Sequence, residues 1–240
     1  MKFVFSQIAS LRILIIFLIC ISYTANGQSE AANKEITKRK IVFLGDSITA
    51  GYGLEKSDAY PALIAELAKH QSLDWQCVNA GLSGDTTNGG VRRVKLLVKR
   101  PLDLIIIALG GNDGLRGIAP EVTQNNLLAI IASIQKAQPK AKIILAGIEV
   151  PANMGSKYKE KFLNTFKEVA KKTEAHFYPS LIEGISGDPK FNQADMIHPN
   201  LEGQKIIAEK LYKVIIQSSP NSEELSEIRF FTQVRFSAHQ

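Results

Sequence analysis

Apolar positions along this chain fall into short continuous runs separated by longer segments of helical period. Ile41 to Leu44 is an unbroken apolar run ended by Gly45, and it predicts a buried strand. Leu63, Ile64, Leu67 and Ala68 then recur at helical spacing, with Ser57-Asp58 and Pro61 as a start signal. Trp75 to Asn79 reads as a second strand, and Gly81 to Gly90 as a loop of small residues. Val91, Val94, Leu97 and Val98 share one helical face, Arg92, Arg93, Lys95 and Lys99 the other, and Pro101 stops that helix. The basic face reads as ordinary solvation.

Leu104 to Leu109 is a near-continuous apolar strand, of the kind a sheet covered on both faces requires. It runs into Gly110-Gly111-Asn112-Asp113-Gly114. Pro120 opens a helix with Leu127, Ile131 and Ile134 inward, and Lys142 to Ile148 is a fourth strand ended by Pro151. Phe162, Phe166 and Val169 mark a further helix, His176 to Tyr178 a short fifth strand. Leu201, Ile207, Leu211 and Val214 stripe the last helix. Strands alternating with helices over short connections call for right-handed crossovers. The expected fold is therefore three-layer α/β/α, with a flavodoxin-like parallel five-stranded sheet in the order 2-1-3-4-5. Its switch point lies at the end of the first strand.

The ends of the chain read differently. Lys2 and Arg12 precede the apolar run Ile13 to Tyr23, which is short for a membrane span, and Ala25-Asn26-Gly27 offers small residues for cleavage. Residues 1–27 thus read as a signal peptide, which predicts an exported, periplasmic or secreted protein. Residues 28–39 are a polar leader, residues 40–217 the domain and residues 218–240 a tail. The tail alternates Ile228, Phe230, Thr232, Val234 and Phe236 with Arg229, Gln233 and Arg235, and leaves the oligomeric state open.

The whole chain carries 29 Lys and Arg against 23 Asp and Glu. Without residues 1–27 the balance is 27 − 23 = +4, spread among helices, so nucleic-acid binding is not implied. Cys77 would be the sole cysteine of the mature chain, a buried thiol with no disulfide partner. The four histidines, 70, 176, 198 and 239, have no metal-ligand spacing.

Candidate chemistry gathers where the strands end. Taken alone, Ser47 is an N-cap in a βα turn, Asn112 a turn former and His198 a loop histidine. Taken together they supply what acyl transfer needs. A serine hydroxyl is a weak nucleophile and requires a base, and the base requires a group that holds its tautomer. Asp195, three residues before His198 on a turn, can reach Nδ1 and leave Nε2 for Ser47. Oxyanion donors would be the backbone N–H groups of Ser47 and Gly84 and the side-chain amide of Asn112.

In these residues the chain resembles the SGNH hydrolases, also called GDSL esterases. The resemblance rests on Gly-Asp-Ser at 45–47, the loop at Gly84, Gly-Asn-Asp at 111–113 and Asp-x-x-His at 195–198, and it covers about residues 40–216. The stretches Gly-Asp-Ser-Ile-Thr-Ala-Gly-Tyr-Gly, Gly-Gly-Asn-Asp-Gly-Leu-Arg-Gly and Ile-His-Pro-Asn are similar to the bacterial thioesterase, lysophospholipase and arylesterase branch. It implies a Ser47, Gly84, Asn112 and His198 quartet completed by Asp195, with no metal or cofactor. The substrate would be a small acyl ester, thioester or lysophospholipid, with Leu115, Pro151 and Asn153 on the walls of an acyl pocket. A carbohydrate O-deacetylase would use the same groups. A non-catalytic flavodoxin-like binding module would need a phosphate-cradling glycine loop after the first strand, and none is present.

Overall fold

The computed structural model describes residues 38–150 and 154–218. The readings of residues 1–27, of the leader up to residue 37 and of the tail from residue 219 lie outside the described residues, as do Pro151 and Asn153.

The strands are β1 (Arg39–Gly45), β2 (Trp75–Gly81), β3 (Leu104–Ala108), β4 (Lys142–Ala146) and β5 (His176–Tyr178). They form one parallel sheet in the order β2-β1-β3-β4-β5, as the pattern predicts. The helices are α1 (Ser47–Ala50), α2 (Tyr60–His70), α3 (Thr87–Leu97), α4 (Gly111–Leu115), α5 (Pro120–Ala137), α6 (Ser156–Thr173) and α7 (Leu201–Gln217). The chain steps from β1 to β2 in one direction and from β2 onward to β5 in the other. Right-handed crossovers therefore place α2 on one face, and α3, α5 and α6 on the other. In keeping with this, α2 packs on α7, α3 on α5 and α5 on α6. Ile41 to Leu44 and Leu104 to Leu109 are buried between these layers, which is why neither run shows alternation.

Five details depart from the sequence pattern. Strand β1 begins at Arg39, inside the expected leader, because Arg39 pairs with Trp75 and lays its guanidinium over the indole at 5.4 Å. Helix α3 begins at Thr87, inside the expected glycine loop. Thr86 caps it, and a side chain at Gly89 would meet the Asp85 carboxylate, at Gly90 the Leu109 methyl. These glycines are there for close packing and not to break the helix. Strand β4 stops at Ala146, two residues early, where Gly147 passes against the Pro179 carbonyl and pairing ends with β5. Cys77 is half-buried, with its thiol pushed up to about 12 by desolvation, and Val214 is half-buried while Ile215 and Ile216 turn inward.

The register brings Gly45 beside Gly81 on one side and beside Ala108 on the other. Small residues therefore cap the carboxyl ends of the three neighbouring strands that meet at the switch point. A Cβ on Gly45 would lie 1.9 Å from Thr49 Oγ1, and one on Gly81 2.3 Å from the Ala50 nitrogen. Helix α1 sits directly on the strand ends, and only glycine permits it.

Candidate active site

Helix α1 has four residues, far too few to be stable by itself, so its position is set from outside. Asp46 caps its start, Oδ1 accepting from Ile48 N–H at 3.1 Å. Its orphan carbonyls are taken by side-chain amides: buried Gln204 donates Nε2 to Ile48 O at 3.0 Å, and Asn79 Nδ2 donates to Thr49 O at 2.8 Å. Thr49 Oγ1 and the Tyr60 hydroxyl share a 2.8 Å hydrogen bond beneath them. Ser47 is thereby fixed at the edge of the sheet on a base of satisfied polar groups. Asp46 itself is 3% exposed, and desolvation pushes its carboxyl up to about 6.

Ser47 Oγ lies 2.9 Å from His198 Nε2, across 151 residues of chain. His198 Nδ1 lies 2.6 Å from Asp195 Oδ2. An ionised carboxylate can only accept, so Nδ1 carries the proton and Nε2 is left to accept from the serine hydroxyl. The other oxygen, Asp195 Oδ1, accepts from the backbone N–H groups of Ile197 and His198, each at 2.9 Å. These bonds, the His198 backbone N–H foremost, hold the Asp195 carboxyl at about 2. To bring both bonds about, Met196 adopts φ 59°, the left-handed region that non-glycine residues seldom occupy. Gln193 anchors the turn: its N–H donates to His198 O at 2.8 Å and its Nε2 to Tyr52 O at 2.6 Å.

The three expected oxyanion donors converge on the same edge. Among the described residues, the N–H groups of Ser47 and Gly84 donate to no protein acceptor. Gly84 has φ 77° in the turn Leu82–Asp85, whose Asp85 N–H donates to Leu82 O, a geometry that calls for glycine at the third position. Asn112 Nδ2 donates to Asp85 O at 2.9 Å. One N–H of the amide is thus engaged and the other is free to donate.

Asn112 lies on α4, where a loop was expected. Asp113 beside it is fully buried, with Oδ2 accepting from Thr87 N–H at 2.9 Å. Its Oδ1 accepts from the hydroxyls of Thr87 and Thr123, so α4 is tied to α3 and α5. Leu115 ends α4 with 43% exposure, and the next residue, Arg116, reaches Gly84 O at 2.9 Å.

Sequence reasoning missed three contributors. Gln204 carries no motif. Tyr52 stands with its ring centroid 4.5 Å from that of His198. Arg93, expected on a solvated face, is turned inward. Its Nε and Nη2 hold Asp85 Oδ2 at 2.7 and 2.6 Å, Nη1 donates to Ala80 O at 2.6 Å, and Nη2 donates to Gly45 O at 2.9 Å. A helix read from Thr87 would have placed Arg93 three residues after buried Gly90, on the inner edge.

No group of His, Cys, Asp and Glu among the described residues could hold a metal ion. At this sheet edge Ser47, His198 and Asp195 are joined by hydrogen bonds, and the Ser47 and Gly84 N–H groups and the Asn112 amide lie on the segments beside them.

A model of the GDSL-like lipase/acylhydrolase family matches residues 43–206. Esterase TesA of Pseudomonas aeruginosa is 37% identical over 184 residues, 76% of this chain and 90% of that protein. Thioesterase 1/protease 1/lysophospholipase L1 of Escherichia coli is 37% identical over 174 residues, 72% of this chain and 81% of that one. Among solved structures, the psychrotrophic esterase EstA from Pseudoalteromonas sp., inhibited by monoethylphosphonate, superimposes with a TM-score of 0.70 at 32% identity. That match covers 74% of this chain and 96% of EstA.

Proposed function

The chain belongs to the GDSL-like lipase/acylhydrolase family, and from that membership we propose that it is an exported ester hydrolase working through an acyl-enzyme on Ser47. The observation that carries this reading is the ordered chain Ser47 Oγ, His198 Nε2, His198 Nδ1, Asp195 Oδ2, with links of 2.9 and 2.6 Å. Ser47 Oγ attacks the acyl carbonyl as its proton passes to Nε2. Asp195 stabilises the imidazolium that results. The oxyanion is received by the N–H groups of Ser47 and Gly84 and by the free N–H of Asn112. The tetrahedral adduct collapses, His198 gives its proton to the departing alcohol or thiol, and acyl-Ser47 remains. Water, deprotonated by His198, attacks the acyl carbon and returns Ser47 to its starting state.

The rim supports a reading of the substrate class. Tyr52, Leu82, Leu115, Met196 and Ile197 are large apolar side chains left exposed on the loops at this edge. Such a rim suits an acyl or aryl group better than a sugar ring, which presents hydroxyls that need polar partners. An aryl ester, a fatty acyl thioester or a lysophospholipid fits this surface, in keeping with the names of the relatives, and an acetylated carbohydrate fits it less well. Pro151 and Asn153 would extend the pocket from the loop after β4. Export is supported by the apolar run 13–23 followed by Ala25-Asn26-Gly27. No helix among the described residues is long and apolar enough to cross a membrane.

A fluorophosphonate reagent followed by peptide mapping tests the nucleophile. It is expected to label Ser47, and Ser47→Ala is expected to lose roughly 10⁶-fold in kcat on a nitrophenyl ester. Labelling elsewhere, or a variant keeping a tenth of the activity, would remove Ser47 from the role. The N-terminal sequence of protein recovered outside the cytoplasm tests export, with Gln28 expected as the first residue.

A further inference from the structure

The geometry points to Arg93 as the positioning residue of the oxyanion site, setting all three donors through a single guanidinium. This rests on the acyl-enzyme reading above and adds to it a residue outside the quartet and its acid. Arg93 touches no reacting atom. What it holds is Gly45 and Asp85, the chain beside Ser47 and Gly84 and the residue whose carbonyl receives the Asn112 amide.

Gly45 O, two residues before the Ser47 N–H, accepts from Arg93 Nη2 at 2.9 Å and also from Leu82 N–H at 3.1 Å. Asp85, next to Gly84, receives the fork of Nε and Nη2 on Oδ2, while its Oδ1 accepts from Thr86 N–H at 3.0 Å. The turn that aims the Gly84 N–H is thus tied at both ends, Leu82 to β1 and Asp85 to Arg93. The same Asp85 supplies the carbonyl that orients the Asn112 amide at 2.9 Å. Nη1 on Ala80 O, at 2.6 Å, anchors the guanidinium to the end of β2. Ser47 opens α1, Gly84 lies in the turn after β2 and Asn112 lies on α4, and a guanidinium between the first two segments is the part that puts the three in register.

A charge alone cannot do this. The Asp85 carboxylate is 8% exposed and pairs with Arg93 directly, so the positive charge is neutralised where it stands. What remains is the planar fork, with several donors in fixed directions. Lysine would keep the charge, but its donors radiate from a single nitrogen and cannot reproduce contacts made from three separate guanidinium nitrogens. A donor displaced by a fraction of an ångström loses the transition state while ground-state binding is spared, since the bound ester makes little use of the oxyanion contacts.

The experiment measures kcat and KM on a nitrophenyl ester for Arg93→Lys, Asn112→Ala and the double variant, below the melting temperature of each. Arg93→Lys is expected to lower kcat by roughly 10- to 100-fold, with KM changed by no more than about threefold, and to leave the acid limb of the pH profile in place. The double variant should lose far less than the product of the two single losses, because both act through one oxyanion site. Affinity for a phenylboronic acid, which forms a tetrahedral adduct, should fall in parallel with kcat. Should Arg93→Lys fail to fold, Asp85→Ala removes the acceptor of the same fork from the other side and must show the same signature.

A kcat within twofold of the wild type for the folded variant, or single losses that multiply, would overturn the assignment. So would a boronic acid affinity that stays unchanged. Fluorophosphonate labelling of wild-type Ser47 separates the two readings. With Ser47 labelled and Arg93→Lys fully active, the positioning role alone fails. With Ser47 unlabelled, the acyl-enzyme fails and the role of Arg93 falls with it.

Discussion

The Tyr52 ring stands against the His198 imidazole, 4.5 Å between centroids and tilted by 38°. An aromatic face attracts a cation by about 0.5–1 kcal/mol at a site this open, so it favours the imidazolium that forms when Ser47 gives up its proton. Tyr52→Ala is expected to move the acid limb of kcat/KM down by a few tenths of a pH unit. Tyr52→Phe should leave it in place. A limb that does not move in the alanine variant would reduce Tyr52 to a wall of the site.

Asp195 is held at about 2 and so stays ionised throughout the working range. This carboxylate should therefore add no step of its own to the acid limb above about pH 4. Asp195→Asn removes the charge that favours imidazolium, which should shift the limb to lower pH. It also offers Nδ1 a donor in place of an acceptor, so kcat should fall by up to about 10⁴-fold through the wrong tautomer. A group whose pKa is lowered on folding stabilises the fold above its unfolded value, and that stability is lost as the pH falls from about 4 toward 2. Unfolding curves at pH 5 and pH 2.5 should show this extra loss in the wild type, and less of it in the variant.

Asn112→Ala should lower kcat by roughly 10²–10³, about 2.7–4 kcal/mol, with little change in KM. Because Nδ2 also holds Asp85 O, some stability should go too, about 1 kcal/mol for one hydrogen bond. Asn112→Asp sets acceptors against both that carbonyl and the oxyanion, and should be the worse enzyme of the two. A turn former would rank them the other way, since aspartate suits turns almost as well as asparagine. Measured kcat and Tm for the pair decide it.

Asp46 carries the opposite sign to Asp195. Its buried carboxyl, pushed up to about 6, binds its proton more tightly in the fold than in the unfolded chain. The cost of ionising it is absent below about pH 4, grows as the pH rises to about 6 and is constant above. Asp46→Asn keeps an oxygen for Ile48 N–H and removes the charge, so the variant should be more stable than the wild type at pH 7 and lose that advantage at pH 4. Urea unfolding at the two pH values measures it. An equal change at both would mean that the charge is not what burial penalises.

The sequence alone determined the sheet and marked the candidate residues at its edge. Runs such as Ile41–Leu44 and Leu104–Leu109 are apolar on both faces, and only a parallel strand between two helical layers consumes such a pattern, so fold and strand order were legible. Asp195 and His198 were legible as well, because three residues on a turn bring a carboxylate to Nδ1 without help from the rest of the chain. Ser47 and Asn112 could be named as candidates, being polar residues at points where an apolar run stops.

Tertiary structure decided the rest. Period separates inside from outside, but it does not say which buried polar atom meets which. Gln204 reaches Ile48 O across 156 residues, and Arg93 reaches Gly45 O across 48. Neither side chain differs in type from its solvated neighbours on the same helix. Arg93 was assigned to solvent because Gly89 and Gly90 looked like a loop, and the helix was begun a turn too late. Those glycines are helical because the Asp85 carboxylate, Leu109 and Ile130 occupy the space their side chains would need. That contact joins three separate segments of the fold, and no local pattern contains it.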